Sequence, residues 1–188
     1  MDIDWTREKA LGLLRQHVTN EILIKHCLAS EAIMRALAAR LGENADHWAV
    51  AGLLHDLDFE QTKDTPSEHG ARTAEILARE GVPADIIQAI REHNAEALGI
   101  PCQSRMGIAL SCGETVTGLI VATALVQPDK KLASVKPSSV RKRMKEKAFA
   151  RNVSRERICE CEKLGLLLDD FLTLSVEAMQ GVATDLGL

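Results

Sequence analysis

Apolar residues recur every three or four positions along nearly the whole chain, and the strict alternation of a half-buried strand is missing. That period predicts an all-α protein. The first helix spans about Asp4 to His17, and a second opens after Thr19 or Asn20, either of which suits an N-cap. It runs to Leu41, and Gly42 is its stop. Its inward stripe passes through Leu23, His26, Ser30, Ile33, Leu37 and Leu41, so His26 points at the core. A third helix, from about Asn44 to Leu57, sets Trp48, Gly52 and His55 on one face. The polar stretch Asp58 to Pro66 reads as a loop, and Ser67 as the cap of a fourth helix that carries His69 in its first turn and stops at Gly81. Pro83 starts a fifth, on which Ile86, Ile90 and His93 share a face.

Beyond a loop with Gly99 and Pro101 lies an apolar helix from about Ser104 to Val126. Its stretch Ile108 to Val126 carries Glu114 as its one charge and is long enough for a membrane span. Ser111, Gly113, Thr115, Thr117 and Gly118 interrupt the apolar run and favour a buried core helix, so no membrane partner is expected. After Gln127-Pro128 the pattern predicts a helix from Pro137 to Ala150, one capped near Ser154 and one starting near Asp169.

A chain of 188 residues fits one sizeable core, so we expect a single domain over 1–188 with a C-terminal helical extension over 127–188. The net charge of -4 gives no general attraction to nucleic acid or anionic lipid. Residues 129–157 differ, with 11 Lys and Arg against 3 Asp and Glu. Lys136, Arg141, Lys142, Arg143, Lys145 and Lys147 run around the predicted helix without forming a stripe, which favours a solvated face over a ligand site; Met144, Ala148 and Phe149 would be its buried side. With no Tyr and few other aromatics, little is left for base stacking, which weighs against a nucleic-acid partner. The five cysteines lack CxxC spacing and imply neither a zinc cage nor a disulfide framework; Cys27 reads as a packing residue. Reduced thiols and a charged start at Met1 to Lys9 lead us to expect a cytoplasmic protein.

The chemistry concentrates at His26, His55, Asp56, His69, His93 and Glu114, which fall at helical positions otherwise expected to be apolar. A buried carboxylate such as Glu114 needs a cation or donors beside it. Imidazole and carboxylate suit one or two borderline divalent ions. His55 and Asp56 lie about 100° apart on a helix, so both reach one ion only from a helix end. The loop from Asp58 supplies that end.

The set resembles the HD-domain superfamily of metal-dependent phosphohydrolases. The resemblance rests on Lys25-His26-Cys27, Leu53-Leu54-His55-Asp56, Glu68-His69-Gly70-Ala71, Ile90-Arg91-Glu92-His93-Asn94 and Glu114 ahead of Thr117-Gly118-Leu119-Ile120. It covers a core of about residues 20–126. His55-Asp56-Leu57-Asp58 replaces the HDIG variant, and Glu114 stands where the family has Asp. The resemblance implies a first ion on His26, His55, Asp56 and Glu114, and a second on Asp56, His69 and His93, as Mn, Fe, Zn, Ni, Co or Mg. It implies hydrolysis of a phosphomonoester or phosphoanhydride in a small phosphorylated substrate, a nucleotide among them, by metal-activated water. Asp56 would be catalytic as the bridge. Asp58, Lys63 and Arg72 are candidate proton relays or phosphate clamps, against the plainer reading of solvated charge. Two alternatives share the ligand set or the fold: a di-iron oxygenase and a metal-free regulatory or scaffold module. A cyclic-dinucleotide phosphodiesterase fits poorly, since its Gly-Tyr-Pro signature needs a tyrosine. A homo-oligomer is compatible with the sequence.

Overall fold

A computed structural model describes residues 5–188. Among them are helices and turns and no strand: α1 (Arg7–His17), α2 (Glu21–Leu41), α3 (Ala45–Leu54), α4 (Phe59–Thr62), α5 (Ala71–Arg79), α6 (Ala84–His93), α7 (Ala95–Leu98), α8 (Arg105–Leu125), α9 (Pro137–Met144), α10 (Arg155–Cys159), α11 (Leu168–Gly181) and α12 (Ala183–Leu186), with 3₁₀ turns at Leu132–Ser134 and Glu160–Leu164. The fold is all-α, as the period predicts. The predicted start at Asp4 lies outside the described residues.

Local chemistry sets the boundaries of the two long helices. Asn20 Oδ1 accepts from the amides of Ile22 and Leu23, so Asn20 rather than Thr19 caps α2, and Gly42 ends it at φ 76°. The Thr19 amide and hydroxyl are instead held by Glu60, which ties the start of α2 to α4. Ser104 Oγ caps α8 at the Gly107 amide. Both helices are central: α2 packs along α3 and against α8 and α11, while α8 also meets α6 and α10. Although α8 is long and apolar enough to suit a membrane span, 67% of its apolar window is buried inside the protein. One hydrophobic cluster runs from Trp5 to Leu186 and includes Ile33, Leu54, Ile90, Leu110 and Phe171, all fully buried.

Gly52 permits the α2–α3 crossing. A Cβ there would sit 2.7 Å from the Ser30 carbonyl oxygen and 2.9 Å from the Glu31 amide, both backbone of α2. The absent side chain lets the two backbones touch, one turn before His55.

Five sequence expectations need correction. The third helix ends at Leu54 rather than Leu57, leaving His55 as its C-cap, and residues 59–62 of the expected loop form α4. His69 precedes α5 in a turn, because Gly70 at φ 81° breaks the helical path that Ser67 would have begun. The basic helix stops at Met144, and Arg155 gathers the carbonyls of Phe149, Ala150 and Val153 beyond it. Ala148 is therefore exposed rather than on a buried side.

Candidate metal centre

His55 and Asp56 leave the end of α3 where the backbone turns, the one place from which adjacent residues can face the same point. His26 comes from the second turn of α2, Glu114 from the middle of α8, His93 from the last turn of α6, and His69 from the turn before α5. The six side chains converge. His26, His55 and Glu114 offer ligand atoms within 4.8 Å of one another, and so do Asp56, His69 and His93.

The imidazoles stand in two facing pairs, His26 Nε2 3.1 Å from His55 Nε2 and His69 Nε2 3.0 Å from His93 Nε2. Asp56 lies between the pairs: its Oδ2 is 3.7 Å from His26 Nε2, and its Oδ1 is 3.3 Å from His69 Nε2 and 3.5 Å from His55 Nε2. Glu114 Oε2 lies 3.8 Å from His26 Nε2, while its other oxygen accepts from Thr115 at 2.5 Å.

Every Nδ1 is engaged on the far side of its ring. His55 Nδ1 donates to the Gly52 carbonyl at 2.9 Å, and His93 Nδ1 to the Ile90 carbonyl. His69 Nδ1 donates to Asp58 Oδ1 at 2.8 Å, and His26 Nδ1 meets Thr117 Oγ at 3.0 Å. The Thr117 hydroxyl donates to the Glu114 carbonyl, so toward His26 it accepts. With all four Nδ1–H groups spent, the four Nε2 atoms are lone pairs turned on one another. Ligating histidines are held in this way, the outer partner setting the tautomer and ring orientation.

Two nitrogens on one ion, at bonds of about 2.1 Å, are separated by about 3.0–3.4 Å for bond angles between a right angle and tetrahedral. Both imidazole pairs meet that spacing, so the donor set fits a divalent cation. The charge balance agrees. Burial pushes His26 and His55 down to about 4 and His93 well below its usual value, favouring neutral ligand forms. Burial also raises Asp56, and raises Glu114 to about 7, the cost of taking two carboxylates out of water. His69 differs: burial, the largest single effect, lowers it, but the Asp58 hydrogen bond together with the charges of Asp56, Asp58 and Glu114 outweighs burial and raises it overall.

The structure assigns different surroundings to the three charged residues expected beside the ligands. Asp58 is fully buried, which overturns its reading as solvated charge. Its Oδ1 holds His69, and its Oδ2 accepts from the amides of Gly70 and Thr73 at 2.8 Å each. With both oxygens so used, its place as a proton relay gives way to positioning His69. Lys63 lines the cleft over the ligands. Arg72 does not: it is exposed and paired with Glu68.

That cleft encloses about 650 Å³ and is lined by His26, Asp56, His69, His93 and Glu114, with Ile22 and Phe59 at an apolar edge. Two contributors escaped sequence reasoning. Asn94 donates to the carbonyls of Pro66 and His69, pinning the turn that presents His69; the only sequence signal was its place next to His93. Arg157 closes the cleft from α10, and nothing in its charge run distinguished it from its neighbours. Among the basic residues singled out upstream, Arg141 pairs with Asp169 and Arg143 with Glu146, and none lines the cleft.

A helical bundle that turns four oriented imidazoles and two carboxylates onto one cleft defines a metal-centre fold. The HD-domain profile matches residues 23–125, over half of the chain, and the protein belongs to the HD domain family. Among its relatives, Ribonuclease Y of Oleidesulfovibrio alaskensis is 25% identical over 111 residues, covering 58% of this chain and 21% of that protein. Ribonuclease Y of Nitratidesulfovibrio vulgaris strain DP4 is 27% identical over a stretch of the same length, again 58% and 21%. Ribonuclease Y of Thermotoga petrophila is 30% identical over 89 residues, 47% of this chain and 18% of that one. The chain thus spans about a fifth of the length of these curated relatives. No solved structure matches at a significant level.

Proposed function

We propose that this chain is a metal-dependent phosphohydrolase that uses water to cleave a phosphomonoester or phosphoanhydride bond in a small phosphorylated molecule, nucleotides included. The observation that carries the reading is the pair of facing Nε2 lone pairs with Asp56 between them. His26, His55 and Glu114 would hold one ion, His69 and His93 a second, and Asp56 would serve both. When bound, such an ion polarises a phosphoryl oxygen and lowers the pKa of water from 15.7 towards about 7.

The remaining work falls to the chain. Asp58, Thr117 and the carbonyls of Gly52 and Ile90 orient the imidazoles, so the ligands need no reorganisation when substrate arrives. Ile22 and Phe59 bound the cleft with apolar surface, suited to the organic part of an ester. Lys63 is a cation at its edge. The relatives' name, ribonuclease, adds an RNA phosphodiester to the substrates worth testing. Its weight is limited here, because Phe59 is the one Phe, Tyr or Trp lining the cleft and few stacking surfaces are present.

The test begins with protein purified without added metal. Elemental analysis should find Mn, Fe, Zn, Ni or Co, and chelation should lower both melting temperature and phosphate release from a panel of phosphomonoesters, nucleotides and an RNA oligonucleotide. Asp56→Ala should lose metal and activity together; activity that survives it refutes the assignment. A mixed-valent iron signal without phosphate release from any ester would point to an oxygenase. Absence of metal, with no thermal gain on adding it, would point to a scaffold.

A further inference from the structure

We propose that Arg157, carried into the cleft by the C-terminal segment, is the clamp that binds the substrate's phosphoryl oxygens beside the metal ligands. The proposal rests on the phosphohydrolase reading for its substrate, though not for its geometry.

Arg157 lines the ligand cleft together with His26, His93 and Glu114. It also lines two adjoining cavities, one of about 410 Å³ shared with His26 and Glu114 and one of about 380 Å³ shared with His93. Arg157 is therefore a wall residue of all three cavities that border the ligands. Lys63 is the other cation of the cleft, and it lies on the exposed α4 side.

Arg155, two residues earlier, is committed to the backbone: its terminal guanidinium nitrogens donate to the carbonyls of Ala150 at 2.8 Å, Val153 at 2.6 Å and Phe149 at 2.5 Å. Among the described residues the Arg157 side chain donates no hydrogen bond, and its ion pair is with Glu96 at 3.5 Å, a carboxylate 89% exposed. An exposed pair of that length is readily exchanged for a better acceptor. The planar fork of an arginine matches two phosphoryl oxygens at once.

The position of Arg157 is built into the fold. Ser154 Oγ caps α10 by accepting from the Arg157 amide at 3.2 Å, and Ile158, the next residue, is fully buried. α10 packs on α8, the helix that bears Glu114 and Thr117, and a Val153 methyl lies so close to Gly118 that a Cβ there would meet it at 3.1 Å. The segment after residue 126 is thus a wall of the site.

The measurement is calorimetric binding of inorganic phosphate to the full chain loaded with Mn²⁺, with metal content determined for each variant. Arg157→Ala should weaken phosphate binding about 10–100-fold, the worth of a charged hydrogen-bond pair, at unchanged metal content. Arg157→Lys should recover part of the loss, a point charge replacing the fork. Glu96→Gln should leave binding unchanged or tighten it, because it frees the guanidinium. Wild-type affinity in Arg157→Ala, loss of metal in step with loss of phosphate, or a wild-type protein that binds no phosphate would each overturn the clamp. The two readings fail separately. If the wild type hydrolyses no ester while phosphate binding still depends on Arg157, the phosphohydrolase reading falls and the clamp stands; if hydrolysis is intact and Arg157→Ala changes neither KM nor phosphate affinity, the reverse holds.

Discussion

Replacing Gly52 by alanine should damage the metal centre without touching a ligand. The added Cβ would lie 2.7 Å from the Ser30 oxygen, 2.8 Å from the Ser30 carbonyl carbon and 2.9 Å from the Glu31 amide, none of which can swing aside because all belong to the α2 backbone. Relaxing the first contact from 2.7 to 3.4 Å opens the α2–α3 crossing by about 0.7 Å. Metal–ligand distances tolerate only about 0.2 Å. The His26–His55 pair, held at 3.1 Å by that crossing, should therefore lose its joint grip on an ion. Overpacking of this kind costs about 1–3 kcal/mol. For a chain of this size it should lower Tm by about 2–12 °C. The control is Gly12→Ala on α1, where a Cβ meets nothing within 4 Å and the gain in helix propensity should stabilise by about 0.5–1 kcal/mol. Thermal denaturation of the chelated protein isolates the packing effect, and elemental analysis reads the metal. If Gly52→Ala melts with the wild type and keeps its full metal content, the argument from close backbone approach is wrong.

Arg72→Ala should leave metal content and hydrolysis unchanged, since the Arg72–Glu68 pair is an exposed i,i+4 contact worth under about 1 kcal/mol; a tenfold fall in kcat/KM would return Arg72 to the site. Glu114→Asp should hold or strengthen metal binding in a competition assay with a chromogenic chelator, whereas collapse of binding would show a site built around the longer acid. Thr117→Val removes the acceptor for His26 Nδ1 and should weaken metal binding about 10–100-fold, with Thr117→Ser restoring it. Asp58→Asn, which discharges the carboxylate that holds His69, should do the same with loss of about 1–3 kcal/mol in stability. Unaltered metal affinity in either variant would remove that residue from the centre.

His26, His55, His93 and Glu114 were legible because each interrupts an apolar stripe with a group that burial penalises, and Asp56 because its adjacency to His55 demands a helix end; His69 stands in a turn, with no helical stripe to interrupt, and was legible through the family resemblance. The helices around them were legible for the same reason of period, apart from their ends. Asp58 was not. Its local sequence is a polar loop, and only the approach of the Gly70 and Thr73 amides in the folded chain makes it a buried acceptor. The end of the basic helix was equally hidden: Lys145 to Phe149 holds no Gly or Pro to stop it, and Ala150 adopts φ 44° where Arg155 draws the backbone carbonyls together. Arg157 is one of 11 basic residues in its stretch, and its distinction comes from where α10 docks.

Each imidazole pair joins one ring fixed locally to one fixed across the fold. His55 and His93 donate to carbonyls three residues back in their own helices, Gly52 and Ile90, so their orientation comes with the helix. His26 and His69 depend on side chains far along the chain, Thr117 at a separation of 91 residues and Asp58 at 11. The weak member of each pair is therefore the one whose partner arrives with tertiary docking. Thr117 belongs to the pair nearest Glu114 and Asp58 to the other, so single substitutions should impair one pair while the opposite pair keeps its own Nδ1 partners. If the centre holds two ions, Thr117→Val and Asp58→Asn should each reduce metal content from two toward one, and the double variant should fall further. A single variant that empties both positions would show that Asp56 couples the pairs more tightly than their separate outer hydrogen bonds imply.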